Sequence, residues 1–315
     1  MRLDLLLGEN VFILAKESEA AANHSEQFAS YTALLAANAN DLTSLMRLAF
    51  GSTSADDFAR VWAAQNKDLV DYAIGVVTHN QDRAAAAMTH LTSESIPKLA
   101  RLFVGLLHLP SGALDQPLKY EIEAMRGTID QGFAHNYLIM YGDLHNAFTW
   151  ATQLGEHVAP AIAQTFPDKF PGEMFSSAVS RRVVTNELLM ERAYLLTMAT
   201  DASINNRQAE KTEALAALKQ NATSIGSFKD VWGQQVQAVE GYAAADDDAS
   251  RLEITQTFVT QLSSTAHVSV SLVGDQARAT VKVIDDQRAR SYASIANDDR
   301  AAATAMQPIA DSIQG

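Results

Sequence analysis

The sequence predicts an all-α protein of two tandem, duplicated helical bundles, with about four to six helices in each. Apolar residues recur mostly three and four apart, the period of one helix face. Only 7 prolines and 15 glycines punctuate 315 residues rich in alanine, leucine and glutamine, which favour helix. The pattern F-x-x-V-W-x-x-Q also occurs twice, as FARVWAAQ at 58–65 and FKDVWGQQ at 228–235, in a chain with only 3 tryptophans.

The elements follow from that period. A first helix carries Leu3, Leu7, Val11 and Leu14 on one stripe and ends near NHSEQ. A second runs from about Ser25 to Leu48 with Phe28, Leu35, Leu42 and Leu45 inward. FGSTSADD then breaks the pattern, and Ser54 with Asp57 three residues on reads as the N-cap of a helix carrying Phe58 to Val77. A fourth helical stretch fills 80–108 and bends near Pro97, because proline removes a backbone donor and crowds the preceding turn. HLPSGALDQP reads as a loop, and helices over about 116–131 and 134–165 part near Gly132.

FPDKFPGE at 166–173 is the best boundary in the chain. It divides a first bundle at 1–166 from a Pro/Gly linker at 167–173 and a second bundle at 174–315. After it the pattern restarts: Leu7, Asn10 and Leu14 match Leu189, Arg192 and Leu196, while Asn38 and Leu42 match Asn221 and Ile225. Phe58, Val61, Trp62, Gln65, Leu69 and Tyr72 match Phe228, Val231, Trp232, Gln235, Val239 and Tyr242. Tyr141, Leu144 and Ile162 match Tyr292, Ile295 and Ile313. Spacing is constant within blocks and changes between them, as a duplicated helical unit requires. HVSVSLV at 267–273 alternates like a strand, but its counterpart lies in a helical region and a lone strand has no partner, so helix is expected there.

Composition excludes several functions. A formal charge of −13 and a pI near 5.0 oppose sequence-independent binding to nucleic acid or anionic membrane. With no cysteine there is no disulfide, thiolate metal site or cysteine nucleophile. In MRLDLLLGENVFILAKESEAA the apolar run is interrupted by Asp4, Glu9 and Lys16 and no small-residue cleavage site follows. It reads as neither signal peptide nor membrane span, and a secreted chain whose signal had been removed would read the same. E-x-x-H, H-E-x-x-H, G-x-S-x-G and both glycine-rich nucleotide motifs are absent, which removes di-iron, zinc-protease, serine-hydrolase and nucleotide classes.

What remains is weaker. His79, Asp82 and His90 share a helix face, but 11 residues span about 16 Å of helix, too far for one ion. The acidic run DDDAS at 246–250 reads as a helix N-cap, since carboxylates favour the positive end of the helix dipole. In the repeated motif Phe, Val, Trp and Tyr are ordinary core. Gln65 and Gln235 are the exceptions, because an unpaired buried amide costs roughly 1–3 kcal/mol. Asn10, between Leu7 and Leu14, and Arg192 in the matching place also fall on inward stripes. These residues either form a polar layer inside each bundle or reach solvent at a stripe edge.

LLLGENVFILA, YTALLAANANDLTSLM, FARVWAAQNKDLVDY, TIDQGFAHNY and APAIAQTFPDKF, which span most of residues 3–170, resemble a poorly characterised bacterial family of helical domains. These domains occur in exported proteins, sometimes beside a copper-amine-oxidase-like N-terminal segment. The resemblance implies an extracellular or cell-surface setting, with a cytoplasmic one still open. It also marks four inward places, Asn10, Gln65, Glu121 and Trp150, where the family carries histidines suggestive of a metal or haem. This chain departs at all four and has Arg192 and Gln235 at the first two in the second copy, so no metal and no cofactor are expected.

The expectation is therefore a non-enzymatic binding or structural module with an unidentified protein or small-molecule partner, and without nucleic acid or membrane insertion. The alternative is a small-ligand or metal-binding bundle that uses Asn10, Gln65, Glu121, Trp150, Arg192 and Gln235 as an interior polar layer.

Overall fold

The computed structural model describes residues 1–172, 175–226 and 228–314. It is all-α, and no strand occurs among the described residues. The chain divides into two compact units, Met1–Met174 and Phe175–Gly315. No helix of the described residues is long and apolar enough to cross a membrane.

The first unit is arranged around α1 (Arg2–Ala22). From Leu3 to Glu17 only Leu6 is not fully buried, so the helix is enclosed on every side rather than along the single stripe its leucines suggest. Four helices surround it: α2 (Gln27–Phe50), α3 (Ser52–Val77), α6 (Asp115–Phe133) and α7 (Tyr137–Thr165). The close approach of α7 depends on Gly155, where a Cβ would lie 2.9 Å from Asp4 Cα. α4 (Gln81–His90) and α5 (Ile96–Leu107) pack on α3 and α6 outside that ring.

Several boundaries differ from the sequence reading. α3 begins at Ser52, behind Gly51 at φ +85°, so Ser54 lies inside the first turn and is not the N-cap. The inward stripe of α2 is Tyr31, Leu34, Leu35, Asn38, Leu42 and Met46, while Phe28 and Leu45 are half-buried. The bend expected near Pro97 is a π-helical turn over Leu91–Ser95. There the Ile96 N–H reaches Leu91 O, and Asp68 Oδ2 takes the Ser95 hydroxyl at 2.8 Å and His90 Nδ1 at 2.7 Å. The stretch from 167 is not a free spacer: Lys169 Nζ donates to the carbonyls of Leu48 (3.2 Å) and Ala49 (2.9 Å) at the end of α2. Glu173 and Met174, where the expected linker ends and the second bundle starts, lie outside the described residues.

The second unit also has an enclosed helix. α8 (Ser177–Ile204) is buried throughout from Thr185 to Thr200 except at Leu188. It packs against α9 (Gln208–Ile225), α10 (Lys229–Ala244), α12 (Val270–Ala289), α13 (Tyr292–Thr304) and α14 (Gln307–Gln314). α11 (Asp248–Ala266) bridges α10 and α12. Asp247 caps α11, its Oδ1 accepting the Ser250 N–H at 2.8 Å, as the acidic run suggested. HVSVSLV is split: residues 267–269 form the turn after α11, and α12 opens at Val270. Phe228 is not a helical match of Phe58; it precedes α10 in the left-handed region at φ +60°.

One clamp recurs. Asn38 Nδ2 donates to Leu6 O at 2.9 Å and Glu9 Oε2 at 2.8 Å; Asn221 Nδ2 donates to Leu188 O at 2.9 Å and Glu191 Oε2 at 2.8 Å. Leu6 and Leu188 are also the half-buried positions within the enclosed stretches Leu3–Glu17 and Thr185–Thr200. Replacing Asn38 or Asn221 by alanine is expected to lower stability by about 1–3 kcal/mol, by removing two buried hydrogen bonds and leaving a buried backbone carbonyl and a glutamate short of a donor. Urea unfolding followed by amide hydrogen exchange should show the loss confined to the substituted unit. An unchanged midpoint would mean that the clamp carries no stability.

Candidate functional site

Arg192 is 0% exposed at the centre of the second unit. Its Nε donates to Gln235 Oε1 at 2.6 Å, and its terminal nitrogens donate to the carbonyls of Trp232 and, at 3.4 Å, Leu218. The guanidinium carbon lies 5.2 Å from the centroid of the Trp232 ring, a cation–π arrangement. No carboxylate pairs with it among the described residues, and burial pushes its pKa down to about 9.

The bonding continues outward in one direction. Gln235 Nε2 donates to Gln276 Oε1 at 3.5 Å, and Gln276 Nε2 to Thr280 Oγ1 at 2.7 Å. Gln235, Gln276 and Thr280 then line a pocket of about 300 Å³, measured with its open mouth, between α10, α11 and α12. Its walls are apolar, with Val239, Ile254, Phe258 and Val281. Tyr242 stands at its edge, its hydroxyl donating to Asp285 Oδ2 at 3.1 Å. Burial and that carboxylate push the phenol up to about 12, so it stays protonated. A cation at one end and a row of amide and hydroxyl donors at the other can orient a hydrogen-bond acceptor.

The first unit places different side chains in its interior. Asn10 is buried on α1 and donates to Asn38 Oδ1 at 3.3 Å. Gln65 is 0% exposed, and neither of its amide atoms meets a partner among the described residues. The same holds for the Trp62 indole N–H, Glu121 Oε2 and Asn10 Oδ1. Glu121 is 2% exposed, and burial alone pushes its pKa up to about 8. Trp150 does not join this group; it is half-buried, with its ring 4.9 Å from that of Tyr120. Its place at the bundle edge leaves the inward face to smaller residues such as Ala147 and Ala151.

Two amides, an indole and one carboxylate do not supply the imidazole set that a haem or transition metal needs. No group of three His, Asp or Glu among the described residues can hold a metal ion. The histidines are spent elsewhere. His24, His79, His108, His135 and His267 all adopt left-handed φ between 51° and 56° just past helix ends, and His90 leans on Asp68. His79, Asp82 and His90 therefore form no site. Sequence reasoning missed Gln276 and Thr280, whose polar i, i+4 spacing in GDQARAT was the available signal.

No family model, no curated protein and no solved structure matches this chain.

Two buried acids give the first unit a pH dependence. Glu17, whose Oε1 takes the Thr32 hydroxyl at 2.6 Å, is pushed up to about 7 mainly by burial, and Glu121 to about 8. Both values exceed the ordinary 4.5, so the folded state binds extra protons. Their contribution is complete below pH 4.5 and is lost as pH rises through 7 and then 8, at about 1.4 kcal/mol per pKa unit. Glu121→Gln is expected to flatten the upper part of that fall in urea midpoints measured against pH. A parallel curve would show that Glu121 is not held neutral.

Proposed function

We propose that the chain is a non-enzymatic binding module of two duplicated helical bundles, whose second unit takes a small organic acid. Duplication is supported by the paired clamps at Asn38 and Asn221, and by Tyr72 donating to Asp130 at 2.6 Å as Tyr242 does to Asp285. The exported or cell-surface setting rests on the family resemblance of residues 3–170. The net charge of −13 favours an uncharged or locally recognised partner over nucleic acid.

The observation that carries the ligand reading is the directed bond chain from Arg192 to the pocket. Gln235 Oε1 is occupied by Arg192, and Gln276 Oε1 faces Gln235. Thr280 Oγ1 accepts from Gln276, which leaves its own proton for a ligand. The row thus offers donors to the pocket, polarised by a buried cation, over apolar walls. A carboxylate on a short hydrocarbon or aromatic body matches the chemistry of that lining.

Ligand-observed NMR with benzoate, hexanoate, benzamide and benzylamine tests the reading. The carboxylates should bind most tightly and the amine least. Ala238→Phe, on a half-buried pocket position, should abolish binding without unfolding the unit. Equal binding of the amine, or binding that survives Ala238→Phe, would sink it.

A further inference from the structure

The two interiors differ in one respect that points to a second ligand. The clamps hold α1 and α8 in the same register, and Asn10 and Arg192 each follow the clamped glutamate by one residue. The Tyr72–Asp130 and Tyr242–Asp285 bonds do the same for the other two helices. Counting back from the tyrosines reaches Gln65 and Gln235, with Trp62 and Trp232 three residues earlier; counting back equally from the aspartates reaches Glu121 and Gln276. Asn10, Gln65 and Glu121 lie on α1, α3 and α6, which pack on one another, and all three are buried.

In the second unit the long Arg192 side chain supplies the donor for the first glutamine, and a neutral Gln276 completes the row. In the first unit Asn10 is too short for that task, and its amide donates to Asn38 instead. Gln65 Oε1, Asn10 Oδ1 and Glu121 Oε2 are left as acceptors with no donor among the described residues. The acid–base character is inverted as well: the second layer holds a guanidinium without a carboxylate, and the first a carboxyl group, kept protonated by burial below about pH 8, without a cation.

We propose that the first unit binds a small organic cation of the guanidinium or alkylammonium type between Asn10, Gln65 and Glu121, over the Trp62 ring. The bound group takes the place of the Arg192 guanidinium. Its N–H groups donate to Gln65 Oε1 and Asn10 Oδ1, its charge pairs with Glu121, and Trp62 supplies the aromatic face that Trp232 gives to Arg192. A divalent metal is a poorer occupant, because a single carboxylate and two amide oxygens undersupply its coordination sphere and an indole face adds nothing to it. This inference concerns a different unit from the organic-acid pocket and stands on the register and the orphaned acceptors, so either reading can fail alone.

The test is a titration of the whole chain with methylguanidinium chloride and methylammonium chloride at about pH 8.5, where Glu121 ionises readily, against sodium chloride at equal ionic strength. Melting temperature and the indole N–H resonances are followed. The expected result is a saturable rise in melting temperature and a shift of the Trp62 resonance, with Trp232 unmoved. Glu121→Gln, which copies the residue of the second unit, should weaken binding at least tenfold while the protein stays folded. Asn10→Arg, which supplies its own guanidinium, should abolish the response and raise the melting temperature without ligand. Ala238→Phe should leave the cation response intact. No response beyond the sodium chloride control, an equal response in Glu121→Gln, or a crystal structure grown with methylguanidinium that holds only water among the three residues would overturn the proposal.

Discussion

A helix enclosed on every side has to dispose of its polar side chains inside the protein, and that constraint organises both units. α1 carries Asp4, Glu9, Asn10, Lys16 and Glu17 at buried positions, and α8 carries Asn186, Glu187, Glu191, Arg192, Thr197 and Thr200. Each such group costs free energy unless a neighbouring helix meets it. The surrounding helices are therefore positioned by polar contacts as much as by apolar packing. Asn38 and Asn221 set the register of α2 and α9 against the enclosed helices, and Gln287 ties α12 to α8 by donating to Thr197 O at 2.8 Å and accepting from Thr200 at 2.7 Å.

The same constraint explains why the polar layer around Arg192 is paired and the one around Gln65 is not. Arg192 reaches three acceptors and an aromatic face from one position, so the second layer is satisfied up to the pocket. The first unit has the same glutamine and tryptophan, but its enclosed helix offers a short asparagine and its sixth helix a glutamate. The change is one of reach and of sign, and it occurs in a setting of low dielectric where both matter most.

Histidine illustrates how an identity can mislead. Five of them end helices in a left-handed turn, where a polar side chain tolerates positive φ and lies near the negative end of the helix dipole. Asn206 and Arg290 perform that task beside His267 in the second unit. On a helix wheel His79 shares a face with Asp82 and His90, though 11 residues is too long a span for one ion. The wheel assumes a continuous helix, and His79 lies just past the end of one.

The sequence by itself determined the helical class, most helix limits of the first unit within a few residues, the break after Thr165, and the inward place of Gln65 and Gln235. All of these are local: apolar period, punctuation and capping are written in neighbouring residues. It also marked Asn10 and Arg192 as inward. Only the tertiary structure decided that α1 and α8 are enclosed on all sides, that Arg192 bonds Gln235, and that Gln276 and Thr280 extend the row to a pocket. It likewise decided that Trp150 stands apart and that Phe228 lies outside its helix. Those facts depend on which helices meet and on how far a side chain reaches across the gap. Residues distant in sequence supply both, and a periodic pattern within one helix carries no record of either.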